Sequence, residues 1–134
     1  GADIMTATDF SLGSNGSTNG SGNTYIAYLF ASLAGVSKVG SYTGNGSSQT
    51  IDCGFTSGAR FVLIKEAESI ADGHWQVWDS ARGIIAGGDP RLRLDVTSPE
   101  NANDLIDPHS SGFAVTDSGE TNDNNKDYIF YAIA

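Results

Sequence analysis

The sequence predicts an all-β fold: an antiparallel β-sandwich, jelly-roll-like, with long Gly/Ser/Asn-rich loops. Three observations predict it. Apolar and polar residues alternate with period two along most of the chain, as in strands that bury one face. Clusters of Gly, Asn, Ser and Asp interrupt this alternation at spacings of about 8–15 residues, the punctuation of a sandwich or barrel. Finally, a chain of 134 residues suits one domain with one core, hiding roughly two-thirds of its surface on folding.

The elements follow in order. Residues 25–31, rich in aromatic and branched side chains, read as a strand. Residues 36–43 alternate, and 49–55 follow across 44–48, a turn in which Gly44, Asn45 and Gly46 favour a tight hairpin. Those glycines resemble a phosphate cradle in composition alone, because they do not open a helix. Residues 60–65 form a short apolar run with charged ends, typical of a central strand covered on both faces. Residues 74–79 alternate. Residues 91–96 do so too, with Leu92, Leu94 and Val96 on one face and Arg91, Arg93 and Asp95 on the other. Residues 112–116 and 128–133 complete the strands. Residues 98–105 read as a short helical turn, with Ser98 as cap, Pro99 at the first position and Glu100 behind it.

One passage occurs twice. FSLGSNGSTNGSGNTYIAYLFA, from Phe10, returns as FAVTDSGETNDNNKDYIFYAIA, from Phe113, without a gap. The identical pairs are Phe10/Phe113, Gly16/Gly119, Thr18/Thr121, Asn19/Asn122, Tyr25/Tyr128, Ile26/Ile129, Tyr28/Tyr131 and Ala31/Ala134. Self-similarity at a fixed period marks a repeat architecture. Residues 1–34 therefore read as a closing hairpin equivalent to the end of a preceding repeat, and 35–134 as one complete module. What survives in both copies is suited to packing and turning. The two copies are expected in pseudo-equivalent positions with at least one at a sheet edge, or with one docked on a neighbouring protomer.

Composition narrows the function. The formal net charge is −9, with 16 acidic and 7 basic residues. Phosphate backbones and anionic membrane surfaces both need a basic footprint, so neither nucleic acid nor membrane is an expected partner. No run of 18 apolar residues suggests membrane insertion, and no basic region with an apolar stretch behind it suggests a secretory signal. A single cysteine, Cys53, excludes an internal disulfide and reads as a small buried hydrophobe.

Catalytic signals are weak. His74 and His109 belong to no metal-ligand or nucleophile motif. Asp79 with Asp95, and Asp104 with Asp107, are carboxylate pairs that nothing singles out for glycoside cleavage, so the chain reads as non-enzymatic. Calcium is better motivated, since it takes oxygen ligands from acidic loops. Asp117, Glu120 and Asp123 are its candidate ligands, although the matching loop at 14–23 has no carboxylate. Trp75, Trp78 and Arg82 are the candidate ligand or partner surface. The two tryptophans lie three apart on one strand and so face opposite sides. An exposed one can stack on a sugar ring, while Arg82 can pair with Asp79 across the turn.

The series VGSYTGNGSSQTIDCGF, ARFVLIK, WQVWDSARG, RLRLDVTSPEN, SGFAV and YIFYAIA resembles a repeated module of bacteriophage structural proteins, found in large tail-fibre-like or appendage proteins. The resemblance covers residues 36–134 and, through the partial repeat, 8–34. It implies a virion or extracellular location and a structural module of a phage particle that mediates assembly, with attachment to the host surface as an extension. The implied partners are the chain itself, as a homo-oligomer such as a trimer, or adjacent virion proteins, and a host surface glycan. The resemblance brings no catalytic residues. A lectin-like carbohydrate-binding module and a capsid decoration or cement protein are the alternatives.

Overall fold

The computed structural model describes residues 9–67, 73–116 and 119–134. Among them the chain forms a helical turn α1 (Gly16–Asn19), strands β1 (Ser37–Thr43), β2 (Gln49–Asp52), β3 (Phe61–Glu66), β4 (Gln76–Asp79), β5 (Asp89–Arg93), β6 (Asn101–Asn103), β7 (Ile106–His109) and β8 (Gly112–Val115), a second turn α2 (Gly119–Asn122), and β9 (Asp127–Ile133). The strands make two sheets, ordered β1-β9-β3-β4-β5-β6 and β2-β8-β7. Every pairing is antiparallel. The chain crosses between sheets after β1, β2, β6 and β8, which makes an antiparallel sandwich, as the alternation predicts.

The core lies between the sheets. Val62, Ile64, Trp78, Tyr128, Phe130 and Ala132 face inward from the larger sheet, and Ile51, Ile106, Phe113 and Val115 from the smaller. Phe113 meets Phe130 edge-on across the gap, with ring centroids 5.5 Å apart, a geometry favoured by the ring quadrupoles. Cys53 is buried as expected, and its thiol is pushed up to about 11, first by that burial.

The last strand is central. β9 pairs with β1 on one side, from Ser37↔Ile133 to Thr43↔Asp127, and with β3 on the other, from Phe61↔Ile133 to Glu66↔Tyr128. The expected sheet-edge position is therefore corrected: the second copy of the repeated passage sits between two strands. The first copy joins no named strand, and residues 25–31 are not extended into a sheet. A ladder needs neighbours on which to spend its N–H and C=O groups, and β9 already occupies the slot between β1 and β3.

Three more expectations are corrected. The segment 44–48 is an arch between sheets, because β1 pairs with β9 and β2 with β8. Residues 98–105 hold no helical turn; Asn101–Asn103 adds β6 to the sheet edge against β5. The expected strand 91–96 ends at Arg93, and the charged face of β5 points inward: Asp89 and Arg91 are buried, while Leu94 and Val96, beyond the strand, are exposed. The inward position of Arg91 follows from its partners. Its guanidinium donates to both oxygens of Glu120, at 2.7 and 2.9 Å, to Asn101 Oδ1 at 2.9 Å, and to Gln76 Oε1. A buried charge this well paired is tolerated where an unpaired one is not.

Asp89 is less well served. Its Oδ1 accepts from the Ile85 amide at 2.6 Å, while Oδ2 has no partner. Burial, partly offset by that amide and reinforced by Asp107 and Asp104, pushes the carboxyl up to about 6. An acid whose folded value lies above its unfolded one binds its proton more tightly when folded. Its ionisation therefore removes stability as pH rises from about 4 to about 6, and the loss persists above. Asp89→Asn is expected to melt above the native chain at pH 8 and together with it at pH 4, measured by thermal denaturation. Equal melting at pH 8 would contradict this assignment.

Candidate functional site

The second copy closes the sandwich through a small polar knot. Asn122, in α2, is fully buried. Its Oδ1 accepts from the Asn45 amide at 3.0 Å and from Gln49 Nε2 at 2.8 Å. Its Nδ2 donates to the carbonyls of Ser47, at 2.7 Å, and Thr116, at 2.6 Å. Two acceptor lone pairs and two N–H donors are thus all used, the full capacity of a carboxamide. The Asn122 carbonyl also accepts from the Gly46 amide at 2.9 Å. Beside it, Tyr42 donates its hydroxyl to the Thr121 carbonyl at 2.6 Å, and its ring stacks on Tyr128. Gly44 is required here, because a Cβ would lie 2.1 Å from the Asp123 carbonyl oxygen. The β1–β2 arch is therefore clamped along the closing element.

The first copy folds its own turn in the same way. α1 and α2 occupy matching residues of the repeat. Asn19 Nδ2 donates to the Gly13 carbonyl at 2.9 Å, as Asn122 does to Thr116. The Gly20 amide donates to the Tyr25 hydroxyl at 2.9 Å, as Asp123 does to Tyr128 at 3.0 Å. The Tyr25 hydroxyl donates to the Gly16 carbonyl at 2.8 Å, matching Tyr128 to Gly119 at 3.4 Å. Asn23 to Gly20 repeats Lys126 to Asp123, each at 3.2 Å. The two copies differ in what surrounds them. Thr121 and Asn122 are buried under the arch, whereas Thr18 and Asn19 are exposed. Ile26, Tyr28 and Leu29 are 79, 80 and 72% exposed, far more apolar surface than a scattered residue accounts for.

Residues 30–33 return to the outer face of the larger sheet. Phe30 packs on Tyr131 with centroids 4.5 Å apart. Ser32 Oγ accepts from the Val39 amide at 2.9 Å, and Ser37 Oγ donates to the Ala31 carbonyl at 2.8 Å. Phe30, Val39, Leu63, Trp75, Ile129 and Tyr131 line an apolar groove of about 550 Å³ there.

The other candidates are distributed as follows. Trp75 faces this groove and is partly exposed, while Trp78 is fully buried in the core, so the opposite-face expectation for the pair holds. Arg82 pairs with Asp79, as its spacing suggested, and with Glu100 at 2.9 Å. The backbone amide of Arg82, followed by its charge, holds the Asp79 carboxyl below the usual range. Asp117 lies outside the described residues. Glu120 accepts from Arg91 and from Arg93, the latter at 2.7 Å, and its hydrogen bonds with Arg91 first of all hold its carboxyl low. The Asp123 amide serves the Tyr128 hydroxyl. Among the described residues no group of three His, Cys, Asp or Glu side chains is placed to hold a metal ion. His74 Nδ1 lies 3.2 Å from Asp95, and His109 Nδ1 lies 3.1 Å from Ser111 Oγ. The Asn122 knot was signalled by its recurrence as Asn19; the Arg91–Glu120 bond had no sequence signal beyond an ordinary alternation.

Fold and site together define a β-sandwich module that carries, besides its own closing element, a second one of the same local structure. The chain belongs to the family described as domain of unknown function (DUF7483), which matches residues 1–134. No curated protein and no solved structure matches it.

The contrast between the copies gives a direct comparison. Asn122→Ala removes four hydrogen bonds that hold the arch and is expected to cost about 3 kcal/mol. Asn19→Ala, on an exposed turn, is expected to cost under about 0.5 kcal/mol. Urea denaturation of the two variants measures both; equal losses would contradict the assignment.

Proposed function

We propose that this chain is a non-enzymatic structural module of a bacteriophage particle, part of a tail fibre or another virion surface appendage, which works by assembly with itself and with adjacent virion proteins. The observation that carries the reading is the doubled closing element. One copy completes the sandwich, while the other presents Ile26, Tyr28 and Leu29 to solvent, and large apolar side chains exposed together in one short segment suit protein contact. The series of motifs from VGSYTGNG to YIFYAIA, similar to that of phage modules, supplies the virion setting. The acidic, weakly ionic composition suits a soluble particle surface. No helix among the described residues is long and apolar enough to cross a membrane. Calcium has no part in this reading, because the Glu120 carboxylate is taken up by two arginines.

A second reading has one observation in its favour. Trp75 borders the open apolar groove on the outer face, and an exposed indole is a platform for a sugar ring of a host surface glycan. Trp78 is buried, so quenching of tryptophan emission by added glycans would report on Trp75.

Mass measurement during size-exclusion chromatography is expected to show a homo-oligomer, a trimer for a fibre piece, and mass spectrometry of purified particles is expected to find the parent protein in the virion. A monomeric chain whose parent protein is missing from particles would contradict the proposal. Glycan-dependent quenching that Trp75→Ala abolishes would shift the assignment to the lectin-like reading.

A further inference from the structure

The first copy carries the information to close a sandwich, and its side chains say which one. In β9, Tyr128, Phe130 and Ala132 point into the core, while Ile129, Tyr131 and Ile133 face the outer side. The matching residues of the first copy are Tyr25, Ala27 and Leu29 inward, and Ile26, Tyr28 and Phe30 outward. A strand apolar on both faces is the pattern of a central strand in a covered sheet, and a poor one for a loop in water. Its preceding turn is already built, with the Asn19, Gly20 and Tyr25 hydrogen bonds in place. The Thr18 and Asn19 positions, which in the second copy hold an arch from β1 to β2, are exposed.

The acceptor is not a second copy of this module. Here Gly40 pairs with Phe130, and a Cβ on Gly40 would lie 2.7 Å from the Phe130 ring. The first copy has Ala27 at the Phe130 position, which leaves a void above a glycine. It has Leu29, three carbons larger, at the position of Ala132, which is fully buried. Void and overfill are both costly in a packed core. Ser17 also replaces Glu120, so a buried arginine at the Arg91 position would lose its partner.

We propose that residues 13–31 are the closing element of a second, related sandwich module. That acceptor has a TGNG-like arch to cover Asn19, a side chain larger than glycine at the position of Gly40, less bulk opposite Leu29, and no buried arginine at the position of Arg91. The mismatch with the chain's own core keeps the element from displacing β9 and leaves it free for its proper partner. This inference does not rest on the virion assignment; it stands or falls with the packing.

The test grafts the strand into the full-length chain. Phe130→Ala, Ala132→Leu and Ile133→Phe convert β9 into the first copy's strand, Tyr25 to Ala31. The triple variant is expected to melt at least 10 °C lower than the native chain. Gly40→Val alone is expected to lower the melting temperature, yet to raise that of the triple variant by 5 °C or more. A Gly40→Val effect of the same sign in both backgrounds would overturn the proposed complementarity. Where the triple variant does not fold, folding of the quadruple variant, seen as buried Trp78 emission, supports the proposal, and its failure to fold overturns it. Native mass of the unmodified chain supplies the remaining outcome. An oligomer that Asn19→Ala dissociates would assign the element to a second copy of this chain and overturn the proposal; an oligomer or monomer unchanged by Asn19→Ala supports it.

Discussion

The Asn122 carboxamide ties together the parts of the chain that close the sandwich. Its four hydrogen bonds reach the arch after β1, the strand β2 through Gln49, and the end of β8 through Thr116. The arch between the sheets and two strands of the smaller sheet are therefore referenced to one buried side chain. A buried amide with every lone pair and proton used adds modest net stability, but great specificity, because any shift in register leaves polar groups unpaired. The bonds of Tyr42 to Thr121 and of Arg91 to Glu120 extend this control to β1 and β5. β9 then enters between β1 and β3 with its direction already set.

The two copies separate local from tertiary causes. Both form the helical turn and the bonds of the tyrosine hydroxyl, so that unit is encoded within a dozen residues. Beyond the tyrosine they part. Tyr128–Ile133 becomes a strand because β1 and β3 flank it, and its counterpart stays outside the sheets because that slot is taken. Strand formation is a property of the site as much as of the sequence.

Much of this was legible from residues alone. Alternation located β1 and β4 and put Trp75 and Trp78 on opposite faces, a short apolar run located β3, and the segments 112–116 and 128–133 located β8 and β9. Recurrence pointed to Thr121, Asn122 and Tyr128 as residues of packing and turning, which is their role. The failures have physical reasons. On β5, alternation gives two faces but not which is buried, and Arg91 goes inward because Glu120, a turn residue far along the chain, pairs with it. The segment 98–105 offered good helix-start chemistry, but the open edge of β5 took Asn101–Asn103 as a strand. The glycines at 44–46 signalled a tight reversal, and the partners of β1 and β2 made it an arch between sheets.

The Asn122 knot is spent on holding the fold together, while Ile26, Tyr28 and Leu29 of the first copy stay exposed, unused by the core. One closing element is locked by its neighbours and its twin is not. Hydrogen–deuterium exchange of the isolated chain tests it most directly. The amides of residues 129–133 should exchange only on global unfolding, and those of 26–30 within seconds. Equal protection of the two segments would contradict it.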